Sequence, residues 1–318
     1  MPPDTVIVEA PARLHFGLLD LRGALGRRFG GVGAAAPGVS VRLTASRAGT
    51  VHAEGDDAGR AVESARRFIA SYGIPGGARL RVERGIPAHA GLGSGTQLAL
   101  SVARALAELY GIPVGAGDLA RAVGRARRSA VGTWTFAGGG FVLEGGRRPD
   151  DDNPAPLLAR LPFPPAWRCV VAVPDARPSV SGDAEAAAFA ALPAPPEREV
   201  ERVAHLVLMA MLPALADGDL PTFGRALTEV QEINGRWFSQ VQGGTFAPGP
   251  SGDLVRRMHG WGAAGVGQSS WGPAVYGVVE DEAEGSWLAE RVRDALGGIG
   301  RVYEGAFPPE GARVWRGA

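Results

Sequence analysis

A glycine-rich segment from Pro87 to Gln97 reads PAHAGLGSGTQ and joins a predicted strand to a predicted helix. Before it, Arg79 to Glu83 alternates charged and apolar residues, as a half-buried strand does. After it, Gln97 to Leu109 repeats apolar residues at helical spacing. A glycine-rich turn between a strand and a helix N-terminus is where proteins often bind anions. The segment therefore predicts a phosphate site in a domain that mixes strands and helices.

Glycines and hydroxyl side chains give this segment the composition of an anion site. Glycine lets backbone N–H groups turn inward without obstruction, and the helix N-terminus adds partial positive charge. Hydroxyl groups donate to phosphate oxygens or ligate Mg²⁺. We therefore predict phosphate binding by Gly91, Gly93, Ser94, Gly95, Thr96 and Gln97, with Ser94 and Thr96 as the Mg²⁺ ligands. The alternative is a tight turn that binds no ligand.

Charge and composition exclude several classes of function. The chain has 318 residues, and its 33 basic and 33 acidic residues give a net charge of zero. No global field therefore attracts it to nucleic acid or to an anionic membrane, and neither is expected as a partner. All of the basic residues are arginine. Without lysine the chain has no Walker-A phosphate loop and no Schiff-base chemistry on a lysine amine.

Cysteine content and hydropathy indicate the compartment. Cys169 is the one cysteine, so an internal disulfide and a cysteine-based zinc site are both excluded. The longest apolar helix candidate, Leu206 to Ala216, is interrupted by Pro213 and is too short to span a bilayer of about 30 Å. No signal peptide is evident at the N-terminus. We expect a cytoplasmic protein.

The chain divides into two predicted domains, residues 1–160 and 161–318. The boundary lies in Gly145 to Pro165, where prolines surround three consecutive aspartates. Beyond it, Cys169 to Val173 predicts a buried strand, and Val200 to Leu215 and Pro221 to Asn234 predict a helical pair. The last part of the chain has the strand–helix–strand order of a small open-faced sandwich.

Ordered blocks along nearly the whole chain resemble one family. With the segment from Gly91, they are Arg13-Leu14-His15-Phe16-Gly17-Leu18, Gly124-Arg125-Ala126-Arg127-Arg128-Ser129-Ala130-Val131-Gly132, Gly138-Gly139-Gly140-Phe141, Ser181-Gly182-Asp183-Ala184-Glu185, Gln242-Gly243-Gly244 and Gly267-Gln268-Ser269-Ser270-Trp271-Gly272-Pro273. The set resembles the β-ribofuranosylaminobenzene 5′-phosphate synthases of the GHMP kinase superfamily.

The resemblance implies both a fold and a reaction. The expected fold class is α+β, a two-domain GHMP-kinase-like fold with an N-terminal phosphate-loop domain and a C-terminal ferredoxin-like domain. The implied enzyme is a decarboxylating phosphoribosyltransferase of tetrahydromethanopterin biosynthesis. It condenses phosphoribosyl pyrophosphate with 4-aminobenzoate, or with 4-hydroxybenzoate, to a C-riboside and releases CO₂ and pyrophosphate. Mg²⁺ and a homodimer are expected with it.

Residues inside the blocks are the candidates for the site. The planar guanidinium group of arginine suits two-oxygen contacts with phosphate or carboxylate. Arg27 and Arg28 are candidates for this role in addition to the arginines named next. The predicted substrate-binding residues are Arg13, Arg125, Arg128, Ser129, Gln242, Ser269, Ser270 and Trp271. As catalytic groups we predict His15, Asp20 and Gln268, with Glu185 as another acceptor near the para substituent. Trp134 and Phe136 either stack on the benzoate ring or belong to the core.

Two other functions remain open, an ATP-dependent small-molecule kinase and a phosphoribosyl pyrophosphate sensor without turnover. Superfamily kinases commonly carry an aspartate base in the middle block, and this chain has Gly132 there. Between Glu108 and Glu144 the only carboxylate is Asp118, which we interpret as a helix cap. The sequence therefore favours the synthase over the kinase. The block from Gly267 to Pro273 contains several polar groups. A sensor needs fewer convergent polar groups than an enzyme, so this block favours an enzyme.

Overall fold

The computed structural model describes residues 3–175 and 182–317, with side chains for all of these except 182–186. Its strands are β1 (Thr5–Asp20), β2 (Phe29–Ala48), β3 (His52–Gly55), β4 (Gly77–Arg84), β5 (Phe141–Glu144), β6 (Leu157–Leu161), β7 (Arg168–Pro174), β8 (Gly265–Gln268), β9 (Val275–Val279), β10 (Gly300–Ala306) and β11 (Arg313–Gly317). Its helices are α1 (Ala58–Tyr72), α2 (Ser94–Tyr110), α3 (Ala116–Ala122), α4 (Val131–Gly138), α5 (Gly182–Ala191), α6 (Glu197–Leu206), α7 (Leu212–Asp217), α8 (Leu220–Gln242), α9 (Pro250–Gly260) and α10 (Glu282–Leu296), with a π-helical turn, Val207–Met211, between α6 and α7.

A seven-stranded sheet organises the first part of the chain. Its main order is β11-β1-β2-β4-β3, and β5 joins β2 to β6. The pairs are antiparallel except for β3 with β4. Because β11 pairs with β1, the last strand of the chain belongs to the same sheet as the first. The boundary proposed at residues 160 and 161 coincides with the end of β6 and stays a prediction.

The phosphate-loop helix α2 is the central helix of the first domain. It packs against β1, β2, α1, α3 and α4. Its predicted apolar stripe, Leu98, Val102, Leu106 and Leu109, is buried. The N-terminus of such a helix is held in place by packing along its whole length, which gives a ligand a rigid set of backbone donors.

A four-stranded antiparallel sheet organises the second part, in the order β10-β7-β9-β8. Numbered along the chain, this order is 4-1-3-2, and helices connect the first strand to the second and the third to the fourth. This is the β-α-β-β-α-β pattern of ferredoxin-like sandwiches. Val171 faces the large core shared with the first sheet, and Val170 faces α9 and α10. Both faces of β7 are covered, so its sequence is apolar without alternation.

The strands and helices expected from Cys169 to Val173 onward are confirmed, including the helical pair, which is longer than predicted at both ends. The cap prediction for Asp118 is wrong. Gly115 is the cap of α3, and Asp118 lies in its first turn with its carboxylate 2.7 Å from Arg121 Nη2. In the described part of the chain, no helix has the length and apolar character needed to cross a membrane.

Candidate active site

A cleft of about 570 Å³ lies where β1, the start of α2 and the segment after β8 meet. Its wall comes from both parts of the chain and consists mainly of cationic, aromatic and hydroxyl side chains. The lining residues are Arg13, His15, Leu18, Arg28, Phe29, Thr96, Gly124, Arg125, Ala126, Arg127, Arg128, Ser129, Phe189, Ala190, Phe238, Ser270 and Trp271. No aspartate or glutamate is among these described lining residues.

The glycine-rich segment has the backbone that its sequence predicts. Gly91 (φ 78°) and Gly93 (φ 74°) are both left-handed, a conformation that glycine adopts without strain. A Cβ on Gly91 would overlap the carbonyl oxygen of Ser269. Helix α2 then begins at Ser94, and its first N–H groups precede the first intrahelical hydrogen bond. They are the donors that an anion at this end of the helix would meet.

Three arginines, from β1, α1 and the segment between α3 and α4, surround this helix N-terminus. Arg13 of β1 packs against Gly93, where a Cβ would lie 2.8 Å from its Cγ. A Cβ on Gly95 would overlap a guanidinium nitrogen of Arg60 and lie 3.4 Å from two of Arg125. Arg60 Nη1 is also paired with Asp57 Oδ2 at 3.0 Å, and the guanidinium groups together with the helix N-terminus favour an anionic ligand. Arg60 of α1 is absent from the sequence prediction because it lies in no block, and only packing brings it here.

The predicted phosphate ligands of α2 differ in where their side chains point. Thr96 lines the cleft, and Ser94 is largely buried beside it. Gln97 is fully buried, and its Nε2 donates to the carbonyl of Gly132 at 2.9 Å. Its side chain therefore connects α2 to α4 and does not face the cleft, so this placement does not support Gln97 as a phosphate ligand.

His15 is the first member of a buried hydrogen-bonded chain. Its Nε2 lies 3.2 Å from Ser129 Oγ, and the Ser129 hydroxyl lies beside the carboxyl of Glu144, where a Cβ on Gly31 would meet Glu144 Oε1 at 3.2 Å and Ser129 Oγ at 3.3 Å. Burial, and secondly the charge of Arg13, lower the pKa of His15 to about 3, so its ring is neutral. Burial raises the pKa of Glu144 to about 7, although backbone and hydroxyl donors oppose the rise.

Irregular pairing of β1 fixes the orientation of His15. The β1–β2 register shifts between His15 and Gly17, which leaves nearby backbone groups without strand partners. Side chains of α8 replace those partners. Gln231 Nε2 donates to the carbonyl of Phe16 at 2.6 Å, and Asn234 Oδ1 accepts from the N–H of Leu18 at 2.6 Å. Helix α8 therefore holds the strand that carries His15 into the cleft.

Three aromatic rings form one side of the cleft. Trp271 packs against Phe189 and Phe238, with ring centroids 5.3 and 4.9 Å away. The guanidinium of Arg128 lies 5.0 Å from the centroid of Phe189. Together they form an apolar slot with a cation at its edge, which suits a planar aromatic anion. The sequence indicates Trp271, whereas Phe189 lies on α5 and Phe238 on α8, beyond the predicted helices, and neither belongs to a motif.

Most side chains of the block at residues 267–273 support the cleft wall through hydrogen bonds within the protein, and few of them line the cleft. Ser269 is fully buried, and its hydroxyl accepts from the N–H of His15 at 2.9 Å and donates to the carbonyl of Gly91 at 2.7 Å. Gln268 and Gln242 hydrogen-bond to each other at 3.2 Å and to neighbouring backbone groups. Their side chains are therefore committed within the protein. In this block, Ser270 and Trp271 are the residues that line the cleft.

Other predicted residues lie outside the cleft lining. Asp20 Oδ1 accepts from the N–H groups of Arg22 and Gly23 and so closes the turn after β1, which does not support a catalytic role. Arg27 donates to the carbonyl of Gly146 at 2.9 Å, whereas Arg28 lines the cleft. Trp134 and Phe136 belong to the packing around α4. The Glu185 side chain lies outside the described residues, as does Ser181.

Gly132, where a kinase base is expected, is tightly packed. A Cβ there would lie 3.2 Å from Thr96 Cγ2, closer than an ordinary contact. Within the described residues, no group of three or more His, Cys, Asp or Glu side chains could hold a metal ion. The donors that suit Mg²⁺ here are the hydroxyls of Ser94 and Thr96, which would complete a coordination shell supplied mainly by phosphate oxygens.

Comparison with known proteins supports the fold. Residues 59–139 match the family GHMP kinases N terminal domain, and residues 211–297 match GHMP kinases C terminal. The solved structure of homoserine kinase from Cytophaga hutchinsonii superposes with a TM-score of 0.75 at 19% identity, covering 98% of each chain. Mevalonate pyrophosphate decarboxylase from Streptococcus pyogenes superposes with a TM-score of 0.69 at 15% identity, covering 97% of this chain and 98% of the other.

Closer sequence relatives define the family. The β-ribofuranosylphenol 5′-phosphate synthase of Methanothermobacter thermautotrophicus is 37% identical in an alignment of 313 positions that covers 92% of this chain and 93% of the relative. The enzyme of the same name from Archaeoglobus fulgidus is 35% identical over 290 residues, covering 87% and 89%. On this evidence the chain belongs to the GHMP kinase superfamily and, within it, to the family of the β-ribofuranosylphenol 5′-phosphate synthases.

Proposed function

We propose that this chain joins the anomeric carbon of phosphoribosyl pyrophosphate to the carboxylate-bearing carbon of a para-substituted benzoate. Pyrophosphate leaves with the electron pair of the bond that breaks, and ring electrons form the new carbon–carbon bond. The ring–carboxylate bond then breaks, CO₂ leaves, and its electron pair restores aromaticity. The observation that carries the proposal is the cleft itself, where an arginine-ringed helix N-terminus stands beside an aromatic slot.

The cationic end of the cleft fits the leaving group. Arg13, Arg60 and Arg125 surround the start of α2, so negative charge that develops on pyrophosphate would meet fixed positive charge and backbone donors. Preorganised donors of this kind stabilise the transition state without reorganising. A second anionic group, the 5′-phosphate or the benzoate carboxylate, would meet Arg28 or Arg128 on the cleft wall.

The aromatic slot fits the acceptor. A benzoate ring beside Trp271, Phe189 and Phe238 would be held by edge and face contacts, with its carboxylate near Arg128. The relatives are named for a ribofuranosylphenol product. This name favours 4-hydroxybenzoate as the acceptor here, and 4-aminobenzoate is the alternative.

The kinase alternative has less support from the cleft. Phosphoryl transfer to a hydroxyl group needs a residue that accepts its proton, usually an aspartate. The described cleft lining contains no carboxylate, and Gly132 packs against Thr96 where that base would stand. The synthase reaction needs no proton removed from the attacking ring carbon, because that carbon loses CO₂.

Mg²⁺ belongs to the proposal as a partner of the pyrophosphate. Ser94 and Thr96 would hold it with their hydroxyls, and it would supply charge neutralisation for the departing oxygens. A homodimer and a cytoplasmic location also belong to the proposal, on the basis of the family resemblance.

The test is release of pyrophosphate and CO₂ from purified protein with phosphoribosyl pyrophosphate and Mg²⁺. Parallel reactions contain 4-hydroxybenzoate, 4-aminobenzoate or no aromatic acid. We expect both products in equal amounts and only with an acid present. Arg125→Gln should abolish release, while Arg121→Gln, which removes an exposed guanidinium of α3, should not. ATP consumption with a small-molecule alcohol and no pyrophosphate release would overturn the proposal.

A further inference from the structure

Glu144 is a buried carboxyl group that the proposed reaction does not use. It ends β5, is fully shielded from solvent and lies outside the cleft lining. Its Oε2 accepts from the N–H of Gly146 at 2.8 Å, and its Oε1 accepts from the N–H of Ala130 at 3.3 Å. The hydroxyl of Ser129 lies beside Oε1, since both oxygens would contact a Cβ on Gly31, at 3.2 Å from Oε1 and 3.3 Å from Ser129 Oγ, and as a donor it lowers the pKa of the carboxyl. The same hydroxyl lies 3.2 Å from His15 Nε2 in the cleft wall.

The hydroxyl of Ser129 connects the two groups through a single proton. A serine hydroxyl donates one hydrogen bond and accepts two. One acceptor position is taken by the N–H of Val131 at 3.3 Å. If Glu144 is ionised, Ser129 donates to it and accepts from His15 Nε2–H. If Glu144 is protonated, it donates to Ser129, and Ser129 donates to an unprotonated His15 Nε2. Each state satisfies every donor and acceptor of the hydroxyl.

We propose that Glu144 is a positioning residue that selects, through Ser129, which ring nitrogen of His15 carries the proton. The ionised carboxylate places that proton on Nε2 and makes Nδ1 an acceptor. The protonated carboxyl places it on Nδ1 and makes Nδ1 a donor. The neutral ring required by this arrangement agrees with the lowered pKa of His15.

The chemical consequence rests on the proposed function. With Glu144 ionised, Nδ1 accepts a hydrogen bond from the para hydroxyl of the aromatic acid. As the ring attacks, this hydroxyl becomes acidic, and its proton passes to Nδ1. The Nε2 proton then passes to Ser129, and the Ser129 proton passes to Glu144. When CO₂ leaves, the ring regains electrons and the protons return, so no net proton is gained or lost.

Few charged groups among the described residues lie where they could compete with Ser129 for the carboxyl of Glu144. On the paired strands, the residues opposite it are Gly31 and Leu157, which are uncharged. In the neighbouring segments, Arg28 directs its Nε to the carbonyl of Leu21, and Arg147 directs its guanidinium to two backbone carbonyls. The ionisation of Glu144 is therefore governed by its burial and by its three hydrogen-bond donors.

On the His15 side, Arg13 supplies the charge that acts on the ring, and it comes from the same strand. Arg128, beside Ser129, lies over the ring of Phe189. The charge of Arg13 favours a neutral imidazole.

Nitrogen NMR on protein labelled at its five histidines tests the proposal without substrate. The His15 signals are identified by their loss in His15→Gln. In the unchanged protein we expect Nε2–H at pH 9 and Nδ1–H at pH 5.5. Glu144→Gln, whose amide donates as the protonated acid does, should show Nδ1–H at both pH values. Ser129→Ala should remove the pH response, and Ser64→Ala, another buried serine, should preserve it.

Activity supplies a second readout. Glu144→Gln should lower kcat for pyrophosphate release at pH 8 at least tenfold with KM for phosphoribosyl pyrophosphate unchanged, and should flatten the pH profile. The proposal would be overturned if the ring nitrogen that carries the His15 proton changed neither with pH nor in Glu144→Gln. If this variant does not fold, the pH dependence is tested on the unchanged protein alone. A tautomer that responds in a protein without synthase activity would instead refute the proposed function.

Discussion

The raised pKa of Glu144 makes a quantitative prediction for stability. Its pKa rises from the usual 4.5 to about 7 in the folded protein. The folded state therefore binds more protons than the unfolded state between these values, and stability falls as pH rises through them. At about 1.4 kcal/mol per pKa unit, the full loss is about 3 kcal/mol, of which about 2 to 3 kcal/mol falls between pH 5 and 8.

Glu144→Gln removes this ionisation, so the variant should escape the loss. We compare the free energy of unfolding in urea of the variant with that of the unchanged protein at each pH. The difference, variant minus unchanged protein, should rise by about 2 to 3 kcal/mol from pH 5 to pH 8. His15, which resists protonation and lowers stability on acidification, is present in both proteins and cancels in the difference. Unfolding curves at four pH values measure this difference. Two proteins whose stabilities run parallel over the whole range would refute the raised pKa.

Three further predictions concern the cleft. Arg60→Gln should raise KM for phosphoribosyl pyrophosphate about 10- to 100-fold, which corresponds to the loss of one charge-assisted hydrogen bond. The control is Arg66→Gln, which changes an exposed arginine of the same helix. Equal kinetics of the two variants would contradict the role of Arg60. Phe238→Ala should raise KM for the aromatic acid up to about tenfold and leave that for phosphoribosyl pyrophosphate within about twofold, from the energy of an aromatic pair; steady-state kinetics with each substrate varied separate the two effects. Gly91→Ala should lower Tm and abolish pyrophosphate release, because its Cβ would overlap the Ser269 carbonyl oxygen at a left-handed position; a fully stable variant would contradict this packing.

Local patterns predicted much of the fold. The turn at Gly91 and Gly93, the buried strand at Cys169 to Val173 and the helices on either side of Gly218 depend on neighbours in sequence, and each is confirmed. The return of β11 to the first sheet was not predicted, because strand pairing across the whole chain leaves no local signal.

The site was predicted in part, and the misses have a common cause. Arg13, Ser129 and Trp271 lie in recognisable blocks and reach the cleft. Arg60 and Phe238 lie on ordinary amphipathic helices, and only tertiary packing aims them at it. Ser269, Gln268 and Gln97 show the opposite case, since polar side chains in a glycine-rich motif can be used in hydrogen bonds within the protein. Glu144 has no signal in the sequence because a single carboxylate that ends an apolar strand belongs to no motif.

The packing of Gly132 against Thr96 also bears on how this family can evolve. An aspartate introduced at residue 132 would press its Cβ against the Thr96 methyl group, in the helix turn proposed to bind pyrophosphate. An aspartate at residue 132 would therefore make the Thr96 side chain yield by a few tenths of an ångström, at the turn proposed to bind pyrophosphate. A kinase base gained at this position would thus be coupled to the geometry of the proposed phosphate site, so the two functions could not be changed independently.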